Sequence, residues 1–278
     1  MTDQQSENRP TASPAKDNFA LITGASGGIG ACFARALAAR GRNLVLVARS
    51  KDKLEALRSE IGAKHSLRIE VIEQDLSLEG SAARLATMLK DRGIAVDLLV
   101  NNAGFGANGE FWKLPLERQA EMLRLNIVTL TELTHLLLPA MVERRGGGII
   151  NISSTASFQP VPYTSVYAAT KAYVTSFSMG LAEEVHRYGV KVLALCPGGT
   201  ATNFWDAGQF SKIDLPGGLQ SPEEVVEVGL RAYDRGSSLA VPRFINRLMI
   251  FAQRLAPRRL AAQQAGNMFR PKNLDAGK

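Results

Sequence analysis

A chain of 278 residues, 45% of them hydrophobic, can bury one large core, and a low aromatic share of 6% beside 25 glycines suits an α/β protein better than a β-sandwich. Its two cysteines, Cys32 and Cys196, offer no disulfide framework, so a reducing, cytoplasmic setting is the expectation. The net charge of +7 does not describe a basic surface, because residues 243–278 carry eight Lys or Arg against one acid, Asp275, and leave residues 1–242 neutral.

Residues 1–17 are polar, carry Pro10 and Pro14, and lack the apolar run of a signal peptide, which predicts a disordered lead-in. No stretch approaches the roughly 18 uninterrupted apolar residues of a membrane span, so none is expected. Apolar runs at 19–22, 44–48, 68–73, 96–100, 149–152 and 190–195 alternate with helical patterns at about 28–40, 51–61, 80–91, 116–145 and from Tyr167 to about 188. Buried strands alternating with helices predict a doubly wound parallel sheet of the Rossmann type in a single domain, 18–242. Beyond Pro197 the pattern loosens into helices near 222–235 and 245–255, candidates for a substrate lid and a helical C-terminal extension, 243–278.

The first strand runs into Thr23-Gly24-Ala25-Ser26-Gly27-Gly28-Ile29-Gly30. Glycines let the backbone turn tightly and approach a pyrophosphate, and the helix that follows presents N–H donors and a positive dipole end. Gly24, Ser26, Gly28, Ile29 and Gly30 are therefore candidate nucleotide contacts. The spacing is Gly-x3-Gly-x-Gly, not the usual Gly-x-Gly-x-x-Gly. The second strand ends at Arg49-Ser50, nineteen residues past Gly30, where an acid would hold the ribose hydroxyl of NAD. Arg49 suits the 2′-phosphate of NADP instead, and NADP is the expected cofactor. After the fourth strand, Asn101-Asn102-Ala103-Gly104 reads as a turn whose small residues let a loop pass close to a ligand.

Tyr167 and Lys171 stand four apart on one helix and so share a face. A free phenol titrates near 10, and an adjacent ammonium is expected to lower that value and make Tyr167 a usable general acid/base. Ser154 can hold the substrate oxygen on which charge develops. The histidines, His65, His135 and His186, are scattered without ligand spacing, and no metal site is expected.

Together these residues resemble the short-chain dehydrogenase/reductase family. The matching stretches are TGASGGIG at 23–30, NNAG at 101–104, Asn126 in LNIVTL, NISS at 151–154, YAATK at 167–171 and CPGGTAT at 196–202, spread over roughly residues 18–235. The resemblance implies a serine thirteen residues before the tyrosine, selecting Ser154 over Ser153. It implies a proton relay supported by Asn126 and Lys171, and ribose binding by Tyr167 and Lys171. It places Asp75 and Leu76 beside adenine, Asn102, Ala103 and Gly104 along the cofactor, and Pro197, Gly198, Thr200 and Thr202 around the carboxamide. A homodimer or homotetramer formed through the helices near 116–145 and 168–188 follows from the same resemblance.

The expected function is NADP-dependent interconversion of a ketone or aldehyde and its alcohol. The alternative is a catalytically weak NADP-binding regulatory protein of the same fold. Phe105, Phe158, Phe204 and Trp205 are expected to line the substrate site and to favour an apolar or bulky substrate. In the extension, Ile245, Leu248, Met249, Ala252 and Leu255 share one helical face, expected to pack on the body or on a second subunit. Peripheral contact with anionic lipid is the competing reading. No nucleic-acid partner is expected, since aromatic interleaving and a recognition motif are absent.

Overall fold

The computed structural model describes residues 18–210 and 217–271; the lead-in at 1–17 and the last residues, 272–278, lie outside the described residues. β1 (Asn18–Thr23), α1 (Gly28–Ala39), β2 (Asn43–Ala48), α2 (Lys51–Gly62), β3 (Ile69–Glu73), α3 (Ser81–Asp91) and β4 (Ala95–Asn101) follow the predicted order. Then come α4 (Leu116–Leu123), α5 (Leu130–Glu143), β5 (Gly148–Ile152), α6 (Ser165–His186) and β6 (Lys191–Leu195). A short α7 (Phe204–Ala207), α8 (Pro222–Asp234), β7 (Leu239–Ala240), α9 (Phe244–Leu255) and α10 (Arg258–Phe269) complete it. The sheet is parallel throughout, in the order β3-β2-β1-β4-β5-β6-β7.

Strand periodicity divides the core in two. Ala20, Ile22, Leu44 and Leu46 face α1, α2 and α8, while their neighbours Phe19, Leu21, Val45 and Val47 face α3, α5 and α6. The chain winds outward from β1 to β3, then returns to place β4 on the other side of β1. Loops leaving the carboxyl ends of β1 and β4 must diverge there, which opens a crevice.

The single long helix predicted at 116–145 is interrupted. Residues Arg124–Thr129 form a π-helical turn between α4 and α5, and Asn126 sits inside it. By length and mean hydropathy (28 residues, 1.4) Leu116–Glu143 is long and apolar enough to cross a membrane. Leu130, Leu133 and Met141 are buried against the domain instead, which makes it a layer of the α/β sandwich. The sequence also gave no sign of β7 or α10. β7 has two residues and α10 has a mixed Ala/Gln/Arg pattern, so neither carries a periodic signal.

The glycine loop is shaped by contact. Gly24 and Gly28 take positive φ values of 65° and 52°. A Cβ on Gly30 would fall 2.3 Å from the Gly24 carbonyl oxygen and 2.5 Å from Asn102 Nδ2. Gly62 has nothing within 4 Å of the same position. Gly30→Val is expected to destabilise the fold by about 1–3 kcal/mol through overpacking. Gly62→Ala should be neutral or stabilising by about 0.5 kcal/mol. Chemical denaturation of both variants checks this, and a Gly30→Val protein as stable as wild type would contradict it.

Candidate active site

The crevice between β1 and β4 is held by hydrogen bonds across its floor. Asn102 donates from Nδ2 to the carbonyls of Thr23 (2.9 Å) and Gly24 (3.1 Å), and its backbone N–H donates to Thr23 Oγ1 (3.0 Å). The Ala103 N–H donates to the same hydroxyl at 2.9 Å. Above this floor lies a cleft of about 600 Å³. Its walls include Gly24, Ser26, Gly28, Ile29, Arg49, Ser50, Asp75, Leu76, Asn102, Ala103 and Gly104, as well as Ser154, Tyr167, Lys171, Pro197, Gly198, Thr200 and Thr202.

Two of the predicted residues stand behind the wall. Gly30 serves close packing of α1 on the loop, as its contacts show. Asn126 is buried, and its side chain straps the backbone of Phe105: Oδ1 accepts from the Phe105 N–H (3.2 Å) and Nδ2 donates to its carbonyl (3.0 Å) and to Thr170 Oγ1 (3.1 Å). Phe158 is not in the cleft. The short 3₁₀ turn Thr155–Phe158 carries it away to a groove beside α8 and α9.

The two adjacent serines have different environments. Ser153 is buried, donating to the Lys171 carbonyl at 2.8 Å and sharing a 2.6 Å hydrogen bond with Thr175. Ser154 points its hydroxyl into the cleft, where Oγ accepts from the Ala156 N–H at 3.1 Å. Strand alternation at the end of β5 produces this split, sending one hydroxyl to the core and its neighbour to the ligand side.

Lys171 donates from Nζ to the Ile152 carbonyl at 2.7 Å and lies 5.7 Å from the centre of the Tyr167 ring. The expected lowering of the phenol is not what the environment produces. Burial pushes Tyr167 up to about 12, opposed by a hydrogen bond with Ser154. Burial likewise pushes the Lys171 ammonium down to about 8. Desolvation disfavours the charged form of each group. At neutral pH the phenol is therefore protonated and set as a proton donor.

Several lining residues carried no sequence signal. Lys53, in the first turn of α2, joins Arg49 where β2 ends at the cleft. The Arg49 side chain is 77% exposed and 3.9 Å from Asp75. Burial raises the Asp75 carboxyl, but hydrogen bonds from the Ser77 hydroxyl and N–H, with the Arg49 charge, hold it below its ordinary value overall. At the opposite end Phe204 lies 5.2 Å from the Tyr167 ring and 5.3 Å from Phe210, which meets Phe269 of α10 at 6.4 Å. Met249, Ile250 and Gln253 of α9 line the same end. The extension packs on the body: Asn108 donates to the Phe269 carbonyl at 2.9 Å, and Ala265 clusters with Val161 and Ala168.

Comparison with known proteins decides the family. A short chain dehydrogenase model matches residues 18–209. The chain belongs to the short-chain dehydrogenase family. Its members are oxidoreductases that act on CH–OH groups with a nicotinamide cofactor. The macaque (Macaca fascicularis) very-long-chain 3-oxoacyl-CoA reductase is 36% identical over 199 residues, 70% of this chain and 63% of that one. The chain thus spans less than two thirds of that relative's length. A short-chain dehydrogenase from Sphingobium yanoikuyae, solved in complex with NADPH, is 33% identical with a TM-score of 0.76, covering 86% of this chain and 94% of its own. The bulky-bulky ketone specific alcohol dehydrogenase from Comamonas testosteroni is 33% identical with a TM-score of 0.73, covering 85% of this chain and 92% of its own.

The lysine has a consequence for stability. Its value is lower folded (about 8) than in an ordinary solvated lysine (10.5), so the unfolded chain binds more protons in that interval. This contribution to stability rises with pH through the window. Lys171→Met removes it, so the variant's stability relative to wild type should fall as pH rises from about 8 to about 10. Thermal unfolding of both proteins across that range measures the difference, and a gap independent of pH would contradict it.

Proposed function

We propose that this chain is an NADP(H)-dependent reductase of apolar, bulky ketones or aldehydes. The observation that carries the reading is the convergence of Ser154, Tyr167 and Lys171 on one cleft whose other end is a glycine loop and helix N-terminus. The chain's own residues fit a dinucleotide. The first turn of α1 has no side-chain cap and no acid, so its N–H groups remain available to a pyrophosphate. Gly24, Ser26, Gly28 and Ile29 would lie along the phosphates, Asp75 and Leu76 beside adenine, and Pro197, Gly198, Thr200 and Thr202 beside the carboxamide.

The cofactor supplies the hydride, in the balance R₂C=O + NADPH + H⁺ ⇌ R₂CHOH + NADP⁺. Ser154 and Tyr167 both donate hydrogen bonds to the substrate oxygen. As negative charge builds there, Tyr167 transfers its proton and the Ser154 bond strengthens. Lys171 then restores the phenol's proton, and a group held at about 8 by burial gives one up readily near neutrality. Asn126 holds the Phe105 backbone, keeping the Gly104–Phe105 loop against Lys171. Phe105, Phe204, Phe210 and Phe269 form an apolar wall that favours a bulky substrate.

Arg49 and Lys53 are two cations at the end of β2 where a 2′-phosphate would sit, which favours NADP over NAD. NADPH should bind at least about tenfold tighter than NADH, and Arg49→Asp with Lys53→Asp should reverse the order. Fluorescence titration of both cofactors measures this; equal affinities in the native protein would remove the assignment. A panel of ketones followed by NADPH absorbance tests turnover. Tyr167→Phe should lower kcat by roughly a hundredfold or more while leaving NADPH affinity near wild type. Binding of NADPH with no turnover on any carbonyl would favour the regulatory alternative.

The same proposal includes self-association. Leu123, Val128 and Leu136 along the helix layer, with Tyr173 and Met179 of α6, form an exposed apolar surface suited to a homodimer. Val128→Glu with Leu136→Glu should lower the mass measured by light scattering, and an unchanged mass would exclude this surface.

A further inference from the structure

α9 packs on only part of the face that its apolar periodicity selects: of Ile245, Leu248, Met249, Ala252 and Leu255, Met249 alone turns to the cleft. Asn246, Met249, Ile250 and Gln253 turn inward to line the cleft. The Ile245, Leu248 and Leu255 side expected to be buried is exposed, and so is Ala252. Phe244, Leu248, Phe251 and Leu255, at steps of four, three and four, make one outward stripe, with Phe244 74%, Phe251 60% and Leu255 76% exposed. The inner face is mixed because it roofs a polar cleft, and the apolar face is left to solvent. A stripe of that size on a soluble surface calls for a partner.

The charge beside the stripe indicates which partner. A groove of about 600 Å³ runs between α8 and α9, with an apolar bed that includes Val228, Leu239, Val241 and Phe251 and three arginines, Arg231, Arg235 and Arg247. Arg231 is paired with Glu227 at 3.5 Å. The Arg235 and Arg247 side chains have no hydrogen-bond or ion-pair partner among the described residues, and Arg258 and Arg259 at the start of α10 are exposed. Residues 243–271 contain six arginines, no lysine and no acid. A second copy related by a two-fold axis would bring these arginines against their own counterparts, with no free acid on the segment to pair them.

We infer that the outer face of α9, with the arginine-lined groove beside it, docks on an anionic lipid bilayer. The phenylalanines and leucines enter the interface, while Arg235 and Arg247 meet phosphodiester headgroups. Docking this face brings the α9 side of the cleft against lipid, from which an apolar carbonyl can enter. That last consequence rests on the reductase reading, whereas the docking does not.

Vesicle co-sedimentation reads the docking without reference to activity. The full chain should sediment with phosphatidylcholine vesicles containing about 30 mol % phosphatidylglycerol, not with phosphatidylcholine alone, and binding should weaken about tenfold between low and roughly 0.3 M salt. Arg235→Glu with Arg247→Glu, and separately Phe244→Ser with Phe251→Ser, should each cut bound protein by about tenfold or more at unchanged melting temperature. All four side chains are exposed, so both variants are expected to fold. Failure of the native chain to bind anionic vesicles would overturn the inference, as would variants that bind like wild type. A Phe244→Ser/Phe251→Ser protein of reduced mass in light scattering would overturn it in favour of a second copy.

Discussion

The close approach of two loops at the carboxyl ends of β1 and β4 is the constraint on which the rest of this molecule depends. Asn102 reaches across to the Thr23 and Gly24 carbonyls, and Gly30 brings α1 so near that a single methyl group would collide with backbone. With that floor fixed, the uncapped start of α1 faces the crevice rather than solvent. The same parallel register carries β5 and β6 upward beside it, so that Ser154 and the Cys196–Thr202 segment arrive at the same level. A helix dipole, the Ser154 hydroxyl and a small-residue loop are thus brought to one cleft by hydrogen bonds within the fold.

Around that cleft, burial does more than hold the fold together. It sets the protonation of the groups that matter. The Tyr167 phenol is pushed up and the Lys171 ammonium down, so the phenol keeps its proton beside a lysine that releases its own more easily than a solvated one. The adjacent Ser153 hydroxyl is absorbed into hydrogen bonds with Lys171 and Thr175 of α6, whereas the Ser154 hydroxyl is held by the Ala156 N–H at the cleft. Asn126 belongs to this second layer. Its π-helical turn lets one side chain hold both backbone groups of Phe105, and loops fixed in that way keep their geometry when a ligand arrives.

The C-terminal extension joins two tasks on one helix. Toward the body, α9 and α10 finish the end of the cleft away from the glycine loop with Met249, Ile250 and Phe269. Toward solvent, α9 presents its phenylalanines and leucines amid arginines. These faces impose opposing demands on a twelve-residue helix, which explains why its apolar periodicity located only Met249 of the packed side. Amphipathicity reports that a helix has an apolar face. It does not report what that face meets.

The sequence by itself determined the α/β class, the order of strands and helices through β6, the family, and a set of site residues of which all but Gly30, Asn126 and Phe158 line the cleft. These properties are local: a glycine cluster between strand and helix, a Tyr-x-x-x-Lys on one helical face, and buried strands apolar along their whole length. Only the tertiary structure decided the remainder, because each of these features depends on what desolvates or abuts a side chain. Lys53 became a cleft residue through the placement of α2, Phe158 was carried away by a 3₁₀ turn, and α10 supplied a wall that its mixed composition never advertised. The direction of the Tyr167 shift belongs here too. From four residues apart an ammonium should lower a phenol, but burial desolvates both groups and sets the direction of each shift.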